Sequence, residues 1–233
     1  MTHACASCFT RAGYKAQESV ADGSWRREAS TIASLPPPES GRPLSARNAW
    51  GALAILAGCR PAGLSDSERS RLHKRLRHLA AYGDVPTGRL QKLLAARAEV
   101  RRYRVHRSVL QPLLDDADVV RGGASAAPRV GADYVAPGRV ELYVHPERIG
   151  KLEAGFGLVL DARGGNLLVR IPPASAWPFL VSAQQETGDG RDAPASVIAA
   201  DLLDTKEDRA LVAAAGILKP LLASSAASTA EAA

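Results

Sequence analysis

The stretch "RLQKLLAARAEVRRYRVHRSVLQPLL", residues 89–114, decides how this chain is read. It opens with Leu90, Leu93 and Leu94 at helical spacing and closes with a second apolar run, Val109, Leu110, Leu113 and Leu114. Between them, "RRYRVHR" (residues 101–107) fits two conformations. As a strand it is the wing of a helical module, with Tyr103 and Val105 on one side and Arg102 and Arg104 on the other. As a helix it begins the run that follows. Seven Lys and Arg stand here against one acid, Glu99, and either form can present arginines to a polyanion.

The same charge excess extends upstream. Residues 60–107 carry thirteen basic and four acidic side chains, whereas residues 108–233 carry eleven basic and sixteen acidic. The net charge of +6 therefore belongs to one stretch of the chain, and two domains with different partners would produce that distribution. A hydrophobic fraction of 46% excludes wholesale disorder, and 233 residues suffice for one large core or two small ones.

Three cysteines, Cys5, Cys8 and Cys59, make no disulfide framework. The N-terminus has no signal-peptide pattern, and the longest apolar run noted, "AWGALAILAGC" (49–59), is shorter than the roughly 20 residues of a bilayer span. A reduced cytoplasmic setting without membrane contact is the expectation. "MTHACASC" groups His3, Cys5 and Cys8, but a closed zinc site needs four ligands, so no metal is expected.

Residues 1–43 lack a periodic apolar face and end in "SLPPPESGRP", and are expected to be a flexible extension. Helical patterning starts at Ser45, a candidate cap for a helix that turns Trp50, Leu53, Ile55 and Leu56 inward. A second helix, capped by Ser65 or Ser67, carries Leu72, Leu76 and Leu79 and stops at Gly83. A third, with Asp84 as cap and Pro86 in its first turn, carries Leu90, Leu93 and Leu94. The fourth is "RSVLQPLL", with Pro112 inside it.

After Leu114 the texture changes. "DVVRGG", "RVELYVH", "GLVLD" and "NLLVRIP" read as strands, the last two joined as a hairpin through "ARGG". "HPERIGKLEAGFG" reads as a short helix ended by Gly155 or Gly157. "APASVIAADLLDTKEDRALVAAAGILKPLL" reads as two helices dividing near Asp204, which caps the second, bearing Leu211, Val212, Ile217 and Leu218. The predicted fold class is α+β: a helical, winged helix-turn-helix-like domain over 44–117, a mixed α+β domain over 118–222, and a disordered tail over 223–233.

A helix-turn-helix needs cations that neutralise phosphates and a helix that enters the major groove. Arg71, Lys74, Arg75 and Arg77 lie on the polar sides of the second helix. Arg89 and Lys92 share a face of the third, Arg97 continues beyond it, and Arg101, Arg102, Arg104 and Arg107 follow. Acidic partners at i+4 are mostly missing, which favours a duplex-DNA surface over a neutralised solvated one. Of these, Arg71, Lys74, Arg75, Arg89, Lys92, Arg97, Arg101, Arg102, Arg104 and Arg107 are the candidate DNA contacts.

No catalytic constellation emerges. GxxxxGK[ST], GxSxG and HExxH are missing, and His73, His78, His106 and His145 have no matching partners. "RGGASAA" and "ARGGN" read as hairpin turns. Asp201, Asp204, Glu207 and Asp208 around Lys206 are what a metal-dependent nuclease would want, yet acids at a helix junction serve equally as caps. The chain is expected to be no enzyme and to hold no cofactor.

Five strings in order, "RLRHLAAYGDVPTGRLQKLL" (75–94), "DADVVRGGASAA" (116–127), "ADYVAPGRVELYVHPERI" (132–149), "NLLVRIPPASAWPF" (166–179) and "APASVIAADLLDTKEDRALVAAAGIL" (193–218), resemble the AbiEi-type antitoxins of bacterial type IV toxin–antitoxin systems. The resemblance covers about 45–222. It implies an N-terminal part that binds the operator and represses its own operon, and a C-terminal domain that opposes a nucleotidyltransferase-like toxin. The rival readings are a stand-alone transcriptional regulator with a dimerising or ligand-sensing C-terminal half, and the nuclease.

Overall fold

The computed structural model describes residues 42–161, 163–182 and 191–227. The expectations for residues 1–41, including that for His3, Cys5 and Cys8, and for 228–233 lie outside the described residues.

Three helices come first. α1 (Ala46–Leu56) starts where the Ser45 hydroxyl accepts the Asn48 N–H, and buries Trp50, Leu53, Ile55 and Leu56. α2 (Asp66–Ala80) opens with a capping box: Ser65 accepts the Glu68 N–H while the Glu68 carboxylate accepts the Ser65 N–H. It turns Leu72, Leu76 and Leu79 inward and ends at Ala80, short of the expected stop at Gly83. Each buried leucine contributes about 1.5–3 kcal/mol by leaving water. α3 (Thr87–Leu94) starts at Pro86 with no side-chain cap, so Asp84 does not play that part.

The open segment resolves as a strand, β1 (Glu99–Arg104), followed by α4 (Arg107–Leu114), whose first turn is capped by the His106 ring accepting the Ser108 N–H. Then follow β2 (Val119–Arg121), α5 (Gly123–Ala126), β3 (Val140–Val144), α6 (Ile149–Phe156), β4 (Val159–Leu160), β5 (Leu167–Ile171), α7 (Trp177–Ser182), α8 (Ala195–Thr205) and α9 (Asp208–Ala227). Of the two glycines expected to end α6, Gly157 does so, left-handed at φ 59°. α8 and α9 divide at Lys206, not Asp204, and Thr205 rather than Asp204 accepts the Glu207 N–H ahead of α9. α9 continues to Ala227, so residues 223–227 of the expected tail are helical.

The sheet order is β2-β3-β5-β1-β4, with β3 and β5 parallel and the other pairs antiparallel. This overturns the expected hairpin. β4 and β5 do not pair: Tyr103 of β1 sits between Leu160 and Leu167, holding the two strands two spacings, about 10 Å, apart. Asp161 folds the connection by accepting the Arg163 and Gly164 N–H groups, and Gly165 passes so close that a Cβ there would lie 2.4 Å from the Tyr103 carbonyl oxygen.

β3 and β5 are buried along their whole length because both sheet faces are covered. On one face Tyr103, Leu142, Val144, Leu167 and Val169 meet Leu110 and Leu113 of α4 and Leu152 of α6. On the other, Val120 and Tyr143 join a cluster built from α1, α2, α3, α8 and α9 together. The boundary expected at 117/118 is therefore not a break in packing, and the described residues from 42 to 227 belong to one compact unit. α9 is long and apolar enough by composition to cross a bilayer, with mean hydropathy 1.6, but its Ala210, Ala214, Leu218 and Leu222 line this shared core. Val212, expected to face inward, is 74% exposed.

Candidate nucleic-acid interface

α2 is polar on the side away from its leucines. Arg71, Lys74, Arg75 and His78 fall within one helical stripe, and the Arg71 Nε donates to the Ser67 carbonyl at 3.2 Å. Tyr82, one turn past His78, links this stripe to α3. The His78 and Tyr82 rings meet edge to face at 5.7 Å, and the Arg89 guanidinium lies 4.8 Å above the Tyr82 ring while donating to its hydroxyl. Lys92, three residues past Arg89, is exposed on α3. α3 is fixed from behind by Leu90, Leu93 and Leu94 and by Gln91, whose amide donates to the Leu203 carbonyl at 2.8 Å. Of the ten candidate residues, Arg89 alone lies against Tyr82; Arg71, Lys74 and Arg75 lie along α2 and Lys92 on α3. A count of cations does not reveal Tyr82, although an aromatic four residues after His78, just past the end of a basic helix, is a readable sign.

β1 divides its arginines by parity. Arg102 and Arg104 share a sheet face with Val100, which pairs with Arg170 of β5, so they lie on the side that bears α3. Arg102 has no carboxylate partner among the described residues. Arg104 donates to Asp161 at 2.8 Å and holds that carboxyl below its usual range, helped by the Arg163 and Gly164 N–H groups. Arg101, on the opposite face, is engaged by Glu99 and Glu153. Glu153 also receives the Tyr103 hydroxyl, and burial followed by that carboxylate pushes the phenol up to about 12. Arg107 is exposed in the first turn of α4. Lys74, Arg75, Lys92 and Arg107 likewise have no carboxylate partner among the described residues.

Arg97 is a correction. It is 2% exposed, so it cannot reach a phosphate. Its guanidinium donates to Asp201 at 2.7 Å, to Asp204, and to the Leu94 carbonyl at the end of α3. Burial alone would lower its pKa, but the Asp201 and Asp204 carboxylates outweigh burial and keep it charged. Arg170, also buried, bonds Glu141 at 2.8 Å and lies 3.2 Å from Asp201; Glu141 in turn holds Arg139, which reaches Glu207. Burial and then the Asp201 charge raise the Tyr143 phenol, which donates to Asp201 at 2.5 Å.

Three of the acids that invited a nuclease reading, Asp201, Asp204 and Glu207, are engaged within this network, while Asp208 stands exposed at the start of α9. Asp201 is 0% exposed, with one oxygen taken by Arg97 and Tyr143 and the other by the Gly123 N–H at 2.9 Å. Nor is "RGG" a hairpin turn. It leads from β2 into α5, and a Cβ on Gly122 or Gly123 would collide with the Asp201 or Glu141 carboxylate, which explains both glycines.

A cationic helical face with an aromatic beside it, carried on an α+β body, has the charge and chemistry that suit a nucleic-acid backbone. The chain belongs to the AbiEi antitoxin family: the family model described as "Transcriptional regulator, AbiEi antitoxin, Type IV TA system" matches residues 80–223, more than half of its length. No curated protein and no solved structure gives a match. The matched region begins at the last residue of α2, so the stripe from Arg71 to His78 rests on geometry alone.

Proposed function

We propose that this regulator is an antitoxin without catalytic activity that represses its own operon through the cationic face of α2 and α3 and opposes a nucleotidyltransferase-like toxin through residues of its C-terminal half. The observation that carries the DNA reading is the cationic stripe of Arg71, Lys74 and Arg75 on α2 joined through His78 and Tyr82 to Arg89 of α3, with Lys92 exposed on α3 and Arg102 and Arg104 on the side of the sheet that bears α3. α3 enters the major groove in this reading, while the β1 arginines track the adjacent backbone as a wing does. Family membership supports the antitoxin role, and the acidic balance of residues 108–233 suits a basic, nucleic-acid-handling toxin.

Titration of the full chain onto a duplex from its own promoter region tests the DNA half of this reading. If about six phosphates are neutralised, log K falls against log salt with a slope of about −5. Lys92→Ala should make that slope shallower by about 0.9. A flat salt response defeats the reading. Growth rescue of cells expressing the neighbouring gene product tests the toxin half, and no rescue by the full chain defeats it.

A further inference from the structure

The surface proposed to meet DNA is held from behind by residues far away in sequence. α3 ends at Leu94, and three residues later Arg97 turns inward and donates to the Leu94 carbonyl, placing a positive charge at the negative end of that helix. The Trp50 indole donates to the Arg97 carbonyl at 2.7 Å, so α1 is tied to the same point. The guanidinium then enters the space between sheet and α8, where Asp201 and Asp204 receive it. Asp201 is sealed, but the Asp204 side chain is 29% exposed and lies within 3.4 Å of Arg170 as well. Two arginines thus compete for the oxygens of Asp201 and Asp204, and the Nε atoms of both are buried without a hydrogen-bond acceptor. A cluster that leaves polar atoms unmet stabilises the fold less than its charge count suggests, so its value lies in where it holds the attached elements.

We infer that Asp204 is a positioning residue for the DNA-binding face: through Arg97 it fixes the pose of α3, which makes the α8–α9 junction a point from which DNA affinity is controlled. This inference rests on the DNA reading above. Electrostatics and positioning predict opposite signs. Removing a negative charge from a DNA-binding protein strengthens its attraction to phosphates, whereas freeing Arg97 from Asp204 loosens α3. Glu207 supplies the comparison, since it is exposed, lies three residues away and bonds Arg139 and Tyr134 rather than Arg97.

The experiment compares full-length Asp204→Asn, Asp204→Glu and Glu207→Gln with the unaltered chain. It reads affinity for the promoter duplex at fixed salt and amide hydrogen exchange across residues 87–97. Asp204→Asn should bind at least tenfold more weakly despite its lost negative charge, with exchange in 87–97 faster by a similar factor and exchange in α6 unchanged. Glu207→Gln should bind equally or more tightly, and Asp204→Glu, which retains the charge, should recover part of the loss. Equal or tighter binding by Asp204→Asn together with unchanged exchange in 87–97 overturns the inference, as does an equal response of the two neutral variants. If the unaltered chain binds no duplex, the DNA reading falls, and the exchange comparison still decides whether Asp204 holds α3. Should Asp204→Asn fail to fold, unchanged exchange in Asp204→Glu overturns the inference and faster exchange confined to 87–97 supports it.

Discussion

Arg97 and Lys92 are five residues apart, both cationic and both placed by their sequence on a DNA surface, yet they have opposite surroundings. Lys92 is exposed, whereas Arg97 is sealed against carboxylates 104 and 107 residues away. Counting charge finds both, but nothing local says which one turns inward, because the partners lie on α8. Arg97→Ala should therefore cost about 3–5 kcal/mol by taking one of two buried guanidinium partners from Asp201 and leaving the carboxylate cluster undercompensated, while Lys74→Ala should stay within about 0.5 kcal/mol. Urea unfolding of the two variants measures the contrast, and equal midpoints would refute it. His73 gives a second residue-level expectation. Burial, and then Arg77 and Arg69, lower its pKa from 6.5, and its Nδ1 is buried without a partner. The unfolded chain takes up that proton more readily than the folded one, so stability falls as pH drops below about 6.5 and levels off below the folded value. His73→Gln should flatten the part of the melting-temperature profile between pH 7.5 and 5.5 that His73 supplies; an unchanged profile would show that it contributes nothing there.

At the scale of elements, helices were more legible than pairings. Ser45 caps α1 as its sequence predicts, Ser65 of the two serines offered caps α2, and Leu72, Leu76 and Leu79 form one stripe, because caps and a 3.6-residue period are local facts. β1 was legible only as one of two alternatives, since six residues with one buried side chain carry a weak period-2 signal. The pairing of β4 with β5 was misread for a related reason. The turn at Asp161–Gly165 has hairpin chemistry, but local turn residues cannot announce that a strand from 60 residues upstream inserts between its arms. Gly165 is the price of that insertion. Gly165→Ala would press a methyl group onto the backbone of Tyr103, which cannot yield as a side-chain tip would, and should destabilise by about 1–3 kcal/mol. Thermal melting checks this, and a loss no larger than that of Gly150→Ala, where a Cβ meets open space, would argue against the close approach.

For the whole molecule, charge distribution suggested two domains and packing joins them. The Ser196 hydroxyl donates to the Leu53 carbonyl, Gln91 holds Leu203, and α9 lies against α2 within one apolar cluster. The asymmetry of charge is real, but charge lies on surfaces and says nothing about where a core divides. Residues 118–227 expressed alone should fail to unfold cooperatively, since α8 and α9 would present to water the face they bury against α1–α3. A sharp melting transition of that fragment would show that the C-terminal half has a core of its own. The place of β1 between β5 and β4 also has a consequence during synthesis. A ribosome finishes β1 about 60 residues before its first neighbour, β4, and the helix that receives Arg97 emerges later still. Contacts of such long sequence separation form late, so the nascent N-terminal helices wait without their supports. In this reading of the DNA-binding face, an unfinished chain leaves the operator free, and repression reports only on antitoxin made nearly to its end.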